Sequence, residues 1–200
     1  MTDRILHLVF VGMFLCFFVI RTYWFRRAQR ARGPATYHEG VWWNVVRIVF
    51  AVPLVGSLVY FFVNPAWLAG GVVALPEWLR WLGVPLAVVV LALTWSIQSA
   101  LGDNFETRLH IRQEHTLVTH GPYRLVRHPM YAMFYLLALT IFLQTANAWV
   151  AGTLVVLLTA VMLMRVRHEE EVLTAAFGDD YRAYMARTGR FLPRLTRRAA

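Results

Sequence analysis

Residues 130–164 read MYAMFYLLALTIFLQTANAWVAGTLVVLLTAVMLM, without one charged side chain. A helix that crosses a bilayer takes about 20 apolar residues. The run is too long for one such helix, and QTAN (Gln144 to Asn147) gives it a polar break. It reads as two apolar helices, from about Met130 to Thr145 and from about Ala148 to Met164. The break between them is so short that they must form a tight antiparallel hairpin. Each arm is slightly short for a span, so its ends are expected to sit in protein rather than lipid.

Three more apolar blocks precede the hairpin. The first, Ile5 to Ile20, continues to Phe25 and stops at Arg26–Arg27. It has no small-residue cleavage site, and Tyr23, Trp24 and Phe25 form an interfacial belt, so it reads as a retained span. The second, Val41 to Val63, contains Pro53, which should kink it. It also contains Arg47, which should face protein or water. The third runs from about Trp78 to Leu101. The expected fold is all-α: one integral-membrane domain over 1–200, with about five transmembrane helices and a helical C-terminal tail. Three spans fall in 1–100, and the polar, chemistry-bearing part falls in 101–193. A hydrophobic content of 58% fits this class. Cys16 is the lone cysteine, which excludes an internal disulfide and a Cys-rich metal motif.

The net charge is +9, and all twenty basic residues are arginine. Nucleic-acid binding is one use for such an excess, but these arginines flank apolar spans. Arg26, Arg27, Arg30 and Arg32 follow the first span, and Arg108, Arg112, Arg124 and Arg127 follow the third. Arg165, Arg167, Arg182, Arg187, Arg190, Arg194, Arg197 and Arg198 follow the fifth. The opposite side receives only Arg4 and Arg80. This asymmetry places the N-terminus outside, with both polar loops and the tail in the cytoplasm.

Two polar regions, His110 to Tyr131 and Arg165 to Tyr184, thus lie on one membrane face, each attached to one arm of the hairpin. In the tail, Arg165, Glu169, Leu173 and Phe177 recur at i+4 as one helical stripe. Gly178 reads as a helix stop, and Asp179 or Asp180 as the cap of a second short helix. The contents suit a charged, nucleotide-like cofactor. The turn at Gly121–Pro122 offers backbone groups for an adenine edge, Tyr123 or Tyr131 can cover a ring, and Glu169 can hold an ammonium. Plainer readings stand beside these. Arg124 and Arg127 serve equally as topology anchors, and Glu169, Glu170 and Glu171 as a solvated helix face. Arg165 and Glu169 can be a simple i,i+4 pair, although arginine first is the poorer order. His128–Pro129 suits a helix start. The histidines lack metal-ligand spacing, so no metal site is expected.

The segments LGDNF (101–105), HTLVTHGPY (115–123) and RHPMY (127–131), followed by an EE…L…FG…Y…Y tail, resemble the isoprenylcysteine carboxyl methyltransferase family. That family lies within a wider group of integral-membrane methyltransferases that includes phospholipid methyltransferases. The resemblance implies an enzyme that uses S-adenosyl-L-methionine. Its cofactor contacts map to His115, Leu117 and Val118, to Tyr123, to His128, Pro129, Met130 and Tyr131, and to Glu169. A further polar contact falls near His110. A substrate-side arginine maps to Arg165, and Ala132 stands where many relatives have glycine. The implied partners are the bilayer and a lipophilic or prenylated acceptor.

The implied reaction is carboxyl O-methylation. A carboxylate with a pKa near ~4 is already ionised at neutral pH, so placement matters more than a general base. A phospholipid amine would need a base, such as His128 or Glu170, to remove its proton first. A nicotinamide-dependent membrane reductase and a non-enzymatic lipid-binding protein are the other readings. The topology is expected to show in cysteine-accessibility labelling at positions 2 and 199 in a Cys16→Ser background. Opposite sides should label, and labelling from one side would make the span count wrong by one.

Overall fold

The computed structural model describes residues 2–32, 70–102 and 116–194, all of it helix, turn and short irregular connections. Its helices are α1 (Thr2–Arg32), α2 (Glu77–Trp81), α3 (Gly83–Leu101), α4 (Pro129–Thr145) and α5 (Ala148–Arg187), with a 3-10 turn at Gly121–Arg124. Helix is what apolar runs of this length must form in hydrocarbon, because every backbone N–H and C=O then finds a partner within the segment. Arg4–Arg30, Glu77–Leu101 and Ala148–Arg187 are long and apolar enough to cross a bilayer. The 17 residues of α4 are shorter, as expected for the first hairpin arm. The chain is a multi-pass integral membrane protein. The expected second span, with Arg47 and Pro53, lies outside the described residues.

Helix boundaries follow local chemistry. Pro129 occupies the first turn of α4, where its missing N–H costs nothing. Gly102 ends α3 at φ +52°, and Gly178 interrupts α5 at φ +53°. Both are backbone conformations that residues with a Cβ seldom adopt. Gly178 is non-helical and separates the long helix from a short one that continues to Arg187, in line with the expected stop and second short helix.

Helix α4 is central and touches each of the other four helices. The core gathers Phe10 and Met13 of α1, Ala87, Val90 and Ile97 of α3, Met133, Leu137, Ala138 and Ile141 of α4, and Val150 and Leu154 of α5. Nearer the site, Leu101 of α3 and Met130 of α4 both pack on Trp24 and Ala28. The end of α3 and the start of α4 therefore lie at one depth. Polar groups tie down the far end. Gln144 Nε2 donates to the Gly83 carbonyl (2.9 Å), and Arg80 Nη2 to the Gln144 carbonyl (3.1 Å). Ala146 takes a left-handed turn at φ +48°, and its carbonyl accepts from Val73 N (2.8 Å). Asn147 Oδ1 then caps α5, accepting from Trp149 N (3.0 Å) and Val150 N (3.2 Å).

That cap should be measurable. Asn147→Ala is expected to cost about 1 kcal/mol and lower the thermal midpoint of the detergent-solubilised protein, while Asn147→Asp retains most of it. An unchanged midpoint in Asn147→Ala would show that the connection is held by packing alone.

Candidate active site

Where the hairpin opens, the loop before α4 meets the long extension of α5. The 3-10 turn at Gly121–Arg124 is closed by Tyr123 N to His120 O (3.2 Å) and Leu125 N to Pro122 O (3.1 Å). The Tyr184 hydroxyl donates to the Tyr123 carbonyl at 2.6 Å, joining the turn to the tail beyond the kink. The chain after α5 then returns beside the loop. Arg127 N donates to Gly189 O (2.9 Å) and His128 N to Arg190 O (3.0 Å), so residues 188–191 form a strap along 126–128. Phe191 on this strap lies 5.9 Å, centroid to centroid, from His128 and 6.3 Å from Tyr131.

The three consecutive glutamates are sorted by their surroundings. Glu171 is 77% exposed and, among the described residues, meets His168 at 3.9 Å. Glu169, 18% exposed, lies 3.4 Å from Arg165 Nη2 and accepts from the Tyr131 hydroxyl at 3.3 Å. Its second oxygen is 3.5 Å from His128 Nδ1. Glu170, 10% exposed, accepts from Arg127 Nε at 3.1 Å and faces His128 Nε2 at 3.3 Å. It also accepts from Arg190 through both Nε and Nη2.

Electrostatics separates the two neighbours further. Burial raises the Glu169 carboxyl above its ordinary value, against the opposing pull of Arg165 and the Tyr131 hydrogen bond. Burial would raise Glu170 as well, but hydrogen bonds from Arg190 and Arg127 outweigh it and leave that carboxyl below its ordinary value. Burial lowers His128, more than Glu170 raises it. Its Nε2 faces Glu170 at 3.3 Å and its Nδ1 faces the second oxygen of Glu169 at 3.5 Å, so the ring stands between the two carboxylates.

Of the expected site residues, the structure brings together His128, Tyr131, Arg165 and Glu169, with Tyr123 close enough for the Glu169 charge to act on its phenol. Pro129 is buried as the first residue of α4. Met130 is turned towards α1, where Arg21 Nη1 meets its sulfur at 3.5 Å. Leu117 and Val118 are half-buried in the irregular run leading to the turn. His110 and His115 lie outside the described residues. Two plainer readings need correction. The glutamates do not form one solvated face, because Glu170 is buried. Arg127 is no simple topology anchor, because it donates to Glu170 and to the carbonyls of Met185 and Thr188. Glu170, Arg190 and Phe191 had no place in the expected cofactor site. Arg190 and Phe191 lie in TGRF (188–191), just past the tail helix.

The chain combines a multi-pass helical membrane fold with a polar site at the open end of the hairpin. In overall structure it is similar to a eukaryotic intramembrane Ras methyltransferase, the isoprenylcysteine carboxyl methyltransferase (TM-score 0.55, 18% identity, 92% of this chain and 67% of that one). The model of the isoprenylcysteine carboxyl methyltransferase (ICMT) family matches residues 81–175. A probable protein-S-isoprenylcysteine O-methyltransferase of rice (Oryza sativa subsp. indica) is 33% identical over 86 residues, 43% of this chain and 45% of the relative. The chain thus spans a little under half of that relative's length. The cobalt-zinc-cadmium resistance protein CzcN of Cupriavidus metallidurans is 32% identical over 157 residues, 78% of this chain and 64% of that one.

The sorting of the glutamates gives a direct test. Glu169→Ala is expected to weaken binding of S-adenosylhomocysteine at least about tenfold, whereas Glu171→Ala, which removes a solvated charge, stays within roughly twofold. Equal losses in the two variants would remove Glu169 as the single cofactor carboxylate.

Proposed function

We propose that the protein transfers a methyl group from S-adenosyl-L-methionine to a lipophilic acceptor at the membrane, as an isoprenylcysteine-type carboxyl O-methyltransferase. The observation that carries this reading is the buried carboxylate of Glu169, held by Tyr131 and Arg165 and 3.5 Å from His128 Nδ1, ringed by Tyr131, Phe191 and the Gly121–Arg124 turn. A buried carboxylate fits the ammonium of an amino-acid group, and the surrounding rings fit a planar base. The family region at 81–175 and the names of the relatives point the same way.

When bound, the cofactor would supply an activated methyl group to the acceptor oxygen, its sulfur keeping the electron pair of the bond that breaks and leaving as S-adenosylhomocysteine. The protein's residues provide placement. Glu169 and His128 hold the cofactor end, Tyr123 and Tyr131 the ring, and Leu117, Val118 and the segment from His128 to Tyr131 line the approach. His110 and His115 belong to the same proposed set. Arg165, one turn before Glu169, offers a fork of donors for the acceptor carboxylate. An acceptor that is already ionised needs no base, and orientation alone can supply roughly 7–11 kcal/mol of barrier reduction. In the proposed topology the site opens to the cytoplasm, the lipid part of the acceptor lies in the bilayer, and residues 101–193 carry the chemistry.

Arg165→Lys keeps positive charge but loses the planar two-donor fork. It is expected to bind S-adenosylhomocysteine nearly normally while methyl transfer to a prenylated cysteine analogue falls at least about tenfold, chiefly in turnover. A phosphatidylethanolamine analogue assayed beside it should accept no methyl group. Full activity of Arg165→Lys would take Arg165 out of the mechanism, and transfer to the amine alone would overturn the carboxylate assignment.

A further inference from the structure

The site holds two adjacent buried carboxylates, and the proposed function uses only Glu169. Glu170 takes up one arginine from the loop and one from the strap. Arg127 donates to it from the loop and Arg190 from the strap, while His128 turns its Nε2 side to it. Arg127 also reaches the Met185 carbonyl at 3.1 Å and that of Thr188. One carboxylate therefore fastens the loop before α4, the α5 extension and the strap to one another. Phe191 follows Arg190 directly, so the same fastening sets its ring beside His128 and Tyr131.

We infer that Glu170 is a positioning residue for the cofactor site. By gathering Arg127 and Arg190 it keeps their charge away from Glu169, and by holding His128 through Nε2 it turns Nδ1 towards Glu169. This inference rests on the proposed cofactor reading and adds a residue that touches neither cofactor nor acceptor. Its logic is electrostatic. Two arginines left without Glu170 would turn towards the next carboxylate and compete with a ligand ammonium for it. Among the described residues, Glu169 is faced by Arg165, His168 and Glu170 from its own helix. Tyr131 and His128 face it from the start of α4, and Tyr123 from the 3-10 turn.

The sign of the pH dependence follows. Ligand binding requires Glu169 as the carboxylate, so affinity falls as pH drops through its titration. Glu170 is one cause of the raised Glu169 value, and Arg127 and Arg190 act oppositely once released. Glu170→Gln should therefore move this acid limb to lower pH while weakening affinity near neutrality. A purely structural contribution would lower affinity by one factor at every pH and leave the limb in place.

Calorimetric titration of the full chain in detergent with S-adenosylhomocysteine, from about pH 5 to about pH 9, separates the cases. Glu170→Gln is expected to bind about tenfold more weakly near neutrality, with its acid limb displaced to lower pH. Glu171→Gln, with the same change in charge, should follow wild type in both respects. The Glu170→Gln/Arg190→Gln double variant leaves one arginine unopposed instead of two. It should fold even if the single variant does not, with a limb displaced from wild type in the same direction but less far. Superposition of Glu170→Gln on wild type, a uniform loss at all pH values, or a double variant with an undisplaced limb would overturn the inference. No affinity in wild type itself would instead overturn the cofactor reading, and the inference with it.

Discussion

Two residues, Ala146 and Asn147, join α4 to α5, and the geometry of the site depends on that connection. A turn this short leaves the helices antiparallel and side by side, so the start of α4 and the residues beyond the span of α5 must emerge together. In water such a turn would be one loop among many. In a bilayer its backbone groups need partners close at hand. Ala146 O accepts from Val73 N, and Asn147 Oδ1 accepts from two amides of α5. Gly71 leaves room for Trp149 because a Cβ there would stand 1.8 Å from the indole. Fixing one end of the hairpin brings the opposite ends to a common level, where His128 and Tyr131 meet Glu169 and Glu170.

Much of this was legible in the sequence because it rests on local chemistry. Uncharged runs mark the helices, Pro129 marks the start of α4, and Gly178 marks the kink. The i+4 spacing puts Arg165 and Glu169 on one face. The fates of Glu170 and Glu171 were not legible. Helical periodicity separates their directions, but which one is buried depends on partners from distant parts of the chain. Arg127 lies 43 residues from Glu170 in sequence, and Arg190 lies 20 residues from it, past the Gly178 kink. Arg127 carried a topological explanation that was sufficient by itself. Only the return of the strap beside residues 126–128 shows that its charge is spent inside the protein.

Adjacent carboxylates with opposite tendencies also give the site its division of labour. Glu170 is taken up by Arg127 and Arg190. Glu169, shielded from solvent and held by Tyr131 and Arg165, is the group whose environment improves when a cation arrives. Charge neutralised on one side lets the other side remain specific for a ligand. The methyl-transfer reading needs little else from the protein, because donor and acceptor are both reactive once aligned and a lipid acceptor is delivered by the bilayer.

The central claim is that this site takes the methyl donor's nucleoside. Calorimetric titration of the purified full chain with S-adenosylhomocysteine and, separately, with NADPH tests it most directly. The account predicts saturable one-to-one binding of S-adenosylhomocysteine and no heat of binding from NADPH. Binding of NADPH alone, or of neither compound, would contradict it.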